Sequence, residues 1–218
     1  MEFLFRVVLR YGAVLLLVNA IIGDAMAAPV RILALGDSLT AGFGLKAEEA
    51  FPARLEAALR AEGRDVRVIN AGVSGDTTAG GLARLGWALA EKPDLAIVEL
   101  GANDGLRGLD PQLMRANLDA ILKRLKQDRI GVLLAGMLAP ANYGPAYQAE
   151  FKTAFARLAS DHDVVFYPFF LDGIAGDARL NLADGLHPAA KGVDVIVQRI
   201  LPSVRTLLDR RARPEKKP

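Results

Sequence analysis

The chain of 218 residues contains no cysteine, and that absence removes several chemistries at once. It leaves no thiol nucleophile, no cysteine-zinc site, no disulfide to staple the fold and no cysteine to carry a lipid at a processing point. Other signatures are missing as well. Gly42-Phe43-Gly44 lacks the third glycine of a dinucleotide-binding fingerprint, and no glycine run leads into a Lys-Ser or Lys-Thr phosphate loop. His, Asp and Glu are not clustered at metal-ligand spacing, so neither a metal nor an organic cofactor is expected. Neither Ser38 nor Ser74 stands in a Gly-x-Ser-x-Gly elbow. No internal repeat, low-complexity linker or charge block interrupts the body of the chain, and nothing in it calls for nucleic acid as a partner.

Long apolar runs are also scarce. The run from Gly12 to Ile22 falls short of the roughly 20 residues needed to span hydrocarbon. Arg6 and Arg10 precede it, Asp24 and Pro29 follow it, and Ala25-Met26-Ala27 fits a small-x-small cleavage site. Residues 1–27 therefore read as a cleaved secretory signal peptide, with a membrane anchor as the competing reading, and the chain is expected to be exported to the periplasm without stable membrane insertion. Its stability must then come from the core.

What is present suits one core. Hydrophobic residues make up 52% of the chain, which suffices for a single domain over 28–208. The net charge of +2 hides an asymmetry, because the last fourteen residues carry six Lys or Arg against Asp209 and Glu215. Residues 209–218 read as a basic flexible tail, frayed into solvent, with weak contact to anionic lipid as the lesser reading.

Along the body, strand and helix patterns alternate. Apolar runs at Ile32–Leu35, Val66–Ala71, Leu95–Leu100, Ile130–Leu138 and Val164–Phe169 predict strands buried on both faces. Helical spacing predicts helices over Ala47–Glu62, Leu82–Glu91, Pro111–Gln127, Ala146–Ser160 and Ala189–Leu208. The expected architecture is a three-layer α/β/α sandwich around a flavodoxin-like, five-stranded parallel sheet. The first three strands end in glycine-bearing polar turns at Gly36-Asp37-Ser38, Gly72-Val73-Ser74 and Gly101-Ala102-Asn103, and a parallel sheet brings such ends to one edge.

Ser38 is the candidate nucleophile of that edge, although a Ser at a strand end is commonly a helix cap or turn former. A base is available in Ala183-Asp184-Gly185-Leu186-His187-Pro188, which holds one of only two His. Pro188 suits a first helical turn, leaving His187 in the connection, and Asp184, three residues earlier across a glycine, can reach its Nδ1 and fix the tautomer. A purely structural His is the other reading. Ser74 reads better as loop or substrate lining than as a rival nucleophile, His162 as a solvated cation at a helix end, and Asp37 and Asp104 as turn caps rather than a glycosidase pair.

Together Gly36-Asp37-Ser38-Leu39, Gly72 after Asn70-Ala71, Gly101-Ala102-Asn103-Asp104 and Asp184-Gly185-Leu186-His187-Pro188 resemble, in order and approximate spacing, the four blocks of the SGNH hydrolases, the GDSL family. Asn103-Asp104-Gly105-Leu106-Arg107-Gly108 and Ala141-Asn142-Tyr143-Gly144 resemble its bacterial periplasmic branch of multifunctional acyl-CoA thioesterase I, lysophospholipase L1 and arylesterase. The resemblance covers essentially the whole chain after the leader. It implies Ser38 as nucleophile, His187 as base then acid and Asp184 as the residue orienting it. The implied oxyanion donors are the Ser38 N–H, the Gly72 N–H and the Asn103 amide. The implied reaction is cofactor-free hydrolysis of a small acyl ester or thioester through an acyl-enzyme. Leu106, Leu109, Tyr143 and Tyr147 are expected to line the acyl site, their apolar weight favouring acyl chains over sugar esters. A deacetylase of exported polysaccharide or peptidoglycan, and a non-catalytic periplasmic lipid or acyl binder, are the alternatives.

Overall fold

Five apolar runs become strands β1 (Val30–Gly36), β2 (Val66–Gly72), β3 (Leu95–Glu99), β4 (Gly131–Ala135) and β5 (Val165–Tyr167) in the computed structural model, which describes residues 28–212. The expected leader, 1–27, and the end of the expected tail, 213–218, lie outside the described residues. All neighbouring strands pair in parallel, in the order β2-β1-β3-β4-β5. This is the flavodoxin-like order, with its switch point between β1 and β3. β3 is buried along its whole length and β1 from Ile32 onward, as strands covered on both faces must be.

The helices are α1 (Ser38–Ala41), α2 (Phe51–Ala61), α3 (Thr78–Ala88), α4 (Ala102–Leu106), α5 (Pro111–Gln127), α6 (Gly144–His162) and α7 (Ala190–Ala212). α2 packs on β2 and against α7, which covers β4 and β5, while α3, α5 and α6 form a second layer over β1, β4 and β5. Apolar side chains recur at helical spacing on the covered faces: Phe51, Leu55 and Leu59 on α2, and Met114, Leu118, Ile121, Leu122 and Leu125 on α5. Among the described residues no helix is long and apolar enough to cross a membrane.

Several boundaries differ from the sequence expectation for local reasons. The first predicted helix is divided: Ala47–Glu49 form one 3₁₀ turn, and Pro52 then sits in the opening turn of α2, where its missing N–H costs nothing. α3 starts at Thr78, four residues early, through a Gly80-Gly81 pair that reads as loop. A Cβ on Gly81 would lie 2.3 Å from Leu100 Cδ1, so a tight helix–sheet contact requires glycine there. Ser38 and Asn103 lie not in turns but on the short helices α1 and α4. Pro188 is not in a first helical turn; it pairs with Asn181 in an antiparallel bridge, and α7 begins two residues later. α7 also runs through Asp209, Arg210 and Arg211 to Ala212, so the expected tail does not begin at 209.

Candidate active site

β1 ends at Gly36, and the next residue organises the turn. Asp37 is the N-cap of α1, its buried Oδ1 accepting the Leu39 N–H at 3.0 Å, which fixes Ser38 as the first helical residue beside the sheet edge. His187 arrives from 149 residues away. Its Nε2 lies 2.9 Å from Ser38 Oγ and its Nδ1 2.7 Å from Asp184 Oδ2. The other Asp184 oxygen accepts the N–H groups of Leu186 and His187 at 2.9 and 3.0 Å, a closed turn that Gly185 allows through its positive φ of 70°. These backbone donors, and the ring beside them, hold the Asp184 carboxyl down at about 2. The loop itself is anchored: the His187 carbonyl accepts the Leu182 N–H at 2.7 Å, and the Asn181 amide donates to the carbonyls of Ile174 and Asp177.

The predicted oxyanion donors meet different fates. Nothing in the protein accepts the Ser38 N–H among the described residues. The Gly72 N–H, by contrast, is taken by Asn70 Oδ1 at 3.0 Å. Gly72 is glycine for another reason, because a Cβ there would lie 2.2 Å from Ala41 N and 2.8 Å from the Asp37 carbonyl, inside the helix that carries Ser38. Gly72 therefore seats α1. In the same turn Gly75, three residues on and at φ 84°, has no acceptor for its N–H among the described residues, and neither have Ser74 and Thr77. Turn composition in Ser74-Gly75-Asp76 carried that signal, but which N–H is free is a tertiary fact.

Asn103 is brought to the nucleophile turn, where its Nδ2 donates to Asp37 Oδ2 at 3.2 Å and to the Asp76 carbonyl at 2.9 Å. The amide thus spans the first and second turns, and giving an N–H to an acyl oxygen requires one of these bonds to exchange. Arg84 locks the second turn, donating to Asp76 Oδ2 at 2.5 Å and to the carbonyls of Ala71 and Gly36 at 2.8 Å each. Asp104 caps α3, receiving the Thr78 N–H and hydroxyl at 2.8 and 2.6 Å. Burial pushes the Asp37 carboxyl up to about 6.

The expected acyl-site residues contact one another. Leu106 and Leu109 are exposed beyond Asn103 on and after α4, and their carbonyls accept the hydroxyls of Tyr143 at 3.0 Å and Tyr147 at 2.7 Å. The two tyrosine rings meet at 5.2 Å, and Tyr147 continues onto buried Phe151. Phe43, which sequence reasoning missed, has its ring centroid 4.4 Å from that of His187. Ser74 is exposed and has no base, since His187 engages Ser38. His162 is not solvated: its side chain is mostly buried, and its Nε2 meets Asp119 Oδ1 at 2.8 Å, tying α6 to α5.

Residues 34–195 match the family model described as GDSL-like lipase/acylhydrolase. The chain is 41% identical over 183 residues to esterase TesA of Pseudomonas aeruginosa, covering 84% of this chain and 91% of the relative. It is 38% identical to thioesterase 1/protease 1/lysophospholipase L1 of Escherichia coli, covering 86% and 83%. Among solved structures it resembles the psychrotrophic esterase EstA of Pseudoalteromonas, inhibited by monoethylphosphonate, with a TM-score of 0.78, 37% identity, and 82% and 98% coverage. It also resembles AlinE4, an SGNH-hydrolase family esterase, with a TM-score of 0.71, 48% identity, and 84% and 99% coverage.

Proposed function

Because the chain belongs to the GDSL-like lipase/acylhydrolase family, the SGNH hydrolases, we propose that it is a serine esterase and thioesterase working through an acyl-enzyme on Ser38. The observation that carries this reading is the continuous hydrogen-bonded line from Ser38 Oγ through the His187 ring to Asp184, at 2.9 and 2.7 Å. Ser is a poor nucleophile until an imidazole takes its proton. Here Nε2 accepts the Oγ proton as Oγ attacks the acyl carbon, while Asp184 holds Nδ1–H and stabilises the imidazolium. The negative oxygen is received by the Ser38 and Gly75 N–H groups and by the Asn103 amide. Collapse expels the alcohol or thiol, protonated by His187, and a water activated by the same ring releases the acid.

Exposed apolar side chains, Phe43 against the His187 ring and Leu106 and Leu109 on and just after the helix that carries Asn103, with Tyr143 bonded to Leu106, support acyl chains over sugar acetates as the group bound. The relatives' names, esterase, arylesterase and thioesterase 1/lysophospholipase L1, support aryl esters, lysophospholipids and acyl thioesters as the substrate classes. The leader-like segment of 1–27 supports export to the periplasm. A fluorophosphonate probe tests the nucleophile: the wild-type chain is expected to take one label, lost in Ser38→Ala together with hydrolysis of short p-nitrophenyl esters. Near wild-type turnover in Ser38→Ala would overturn the assignment.

A further inference from the structure

Beneath the nucleophile lies a charged residue that the mechanism above does not use. Glu99 ends β3, in register with Gly36 of β1, and is only 1% exposed. Its Oε2 accepts the Thr40 hydroxyl at 2.8 Å and the Asp37 N–H at 3.4 Å, while its Oε1 is buried with no partner among the described residues. Gly36 makes this seat, since a Cβ there would lie 2.0 Å from Thr40 Oγ1 and 2.6 Å from Glu99 Oε2. Asp37, the second buried carboxyl, shares this seat: its own N–H points to Glu99 Oε2, and its Oδ2 is the acceptor of the Asn103 amide.

Two buried carboxyls sharing one seat do not both ionise. We propose that Glu99 is a positioning residue that acts as a neutral acid, its Oε1 proton shared with Asp37, so that Asp37 remains the ionised acceptor aiming the Asn103 amide; this rests on the serine-hydrolase reading. Each atom of the pair then has a role. Glu99 Oε2 accepts from α1, Oε1–H donates toward Asp37, Asp37 Oδ1 holds the Leu39 N–H and Oδ2 holds Asn103. The charged groups around the pair divide it consistently. Asp104 of α4 repels the Asp37 charge and His187 attracts it, while Arg84 of α3 is spent on Asp76 and on two carbonyls at the sheet edge. Burial, and then the Asp37 charge, push the Glu99 carboxyl well above the ordinary carboxylate range.

The test uses the full chain and three variants. Infrared difference spectra at pH 7 are expected to contain the carbonyl stretch of a protonated carboxylic acid, retained in Ser38→Ala and lost in Glu99→Gln. Glu99→Gln, neutral and able to accept and donate as the acid does, is expected to keep kcat within about threefold, whereas Glu99→Met should lower kcat per phosphonate-labelled site by about tenfold or more with KM little moved. Glu99→Met should also shift the acid limb of kcat to higher pH, because Asp37 loses the donor that favours its ionised form, and a role in folding alone would leave that limb in place. Absence of the band from the wild type, a tenfold loss in a folded Glu99→Gln, or an unmoved acid limb in Glu99→Met would overturn the proposal. If Glu99→Met fails to fold, the band and Glu99→Gln decide it. A wild-type chain that takes no phosphonate label overturns the hydrolase reading separately, and with it the positioning role.

Discussion

Asn103 serves two acceptors with one amide, and this makes it the residue on which rate depends without any covalent role. Asn103→Ala removes a donor to the developing oxyanion and unties Asp37 from Asp76; kcat on p-nitrophenyl esters is expected to fall on the order of 10²- to 10³-fold with KM changed far less. Asp37→Asn should move stability and rate in opposite directions. The folded carboxyl titrates at about 6, above its ordinary 3.8, so its contribution to stability is fully present below about pH 4 and lost as pH rises through 6. At pH 8 the wild type carries a buried charge that the variant lacks, so Tm should rise there, while kcat drops about tenfold as the Asn103 acceptor is lost. Thermal melts at pH 4 and pH 8 beside initial rates check both arms. Ser38, Asp184 and His187 were legible in sequence because strand ends and a three-residue turn fix them locally. Gly75, Phe43 and Glu99 were not, because a free N–H, a ring against an imidazole and a carboxyl under a neighbouring strand exist only once the elements are packed.

At the scale of elements, α1 is positioned by what β2 lacks. A methyl on Gly72 would have to occupy space 2.2 Å from the Ala41 backbone nitrogen, and backbone cannot swing away as a flexible side chain can. Gly72→Ala should therefore displace α1, costing about 1–3 kcal/mol in urea unfolding and reducing kcat with it. Gly75→Ala is a different test, for the nearest atom to its added Cβ is 3.9 Å away on the Arg107 guanidinium, which bonds the Gly75 carbonyl, and only the φ of 84° resists the change. Its stability loss should be about 1–2 kcal/mol, the ordinary cost of the left-handed region. The order of strands and long helices was legible from alternating apolar runs. The starts of α2 and α3 were not, since Pro52 opens a helix that periodicity alone carries back to Ala47, and Gly80-Gly81 reads as a break until Leu100 is seen to press on it.

The molecule as a whole closes on its last helix, and its limit lies where composition alone misleads. Basic residues near the end suggest solvated tail, but Arg211 meets Asp94 at 2.7 Å, Arg210 meets Asp163, and Leu207 and Leu208 are buried in the core. The two kinds of contact differ in weight. Exposed ion pairs contribute about 0–1 kcal/mol each, whereas removing a buried leucine costs about 2–5 kcal/mol. A chain stopped after Leu208 should fold and hydrolyse esters with a Tm lower by only a few degrees, roughly 2–4 °C per kcal/mol for a protein of this size. A chain stopped after Val204 loses both leucines and the Arg205–Glu62 pair. That loss approaches the whole of a typical stability of about 5–15 kcal/mol, so this shorter chain should show no cooperative melt and no phosphonate labelling. Cooperative unfolding near the wild-type Tm in the shorter chain would move the end of the domain inward to Val204.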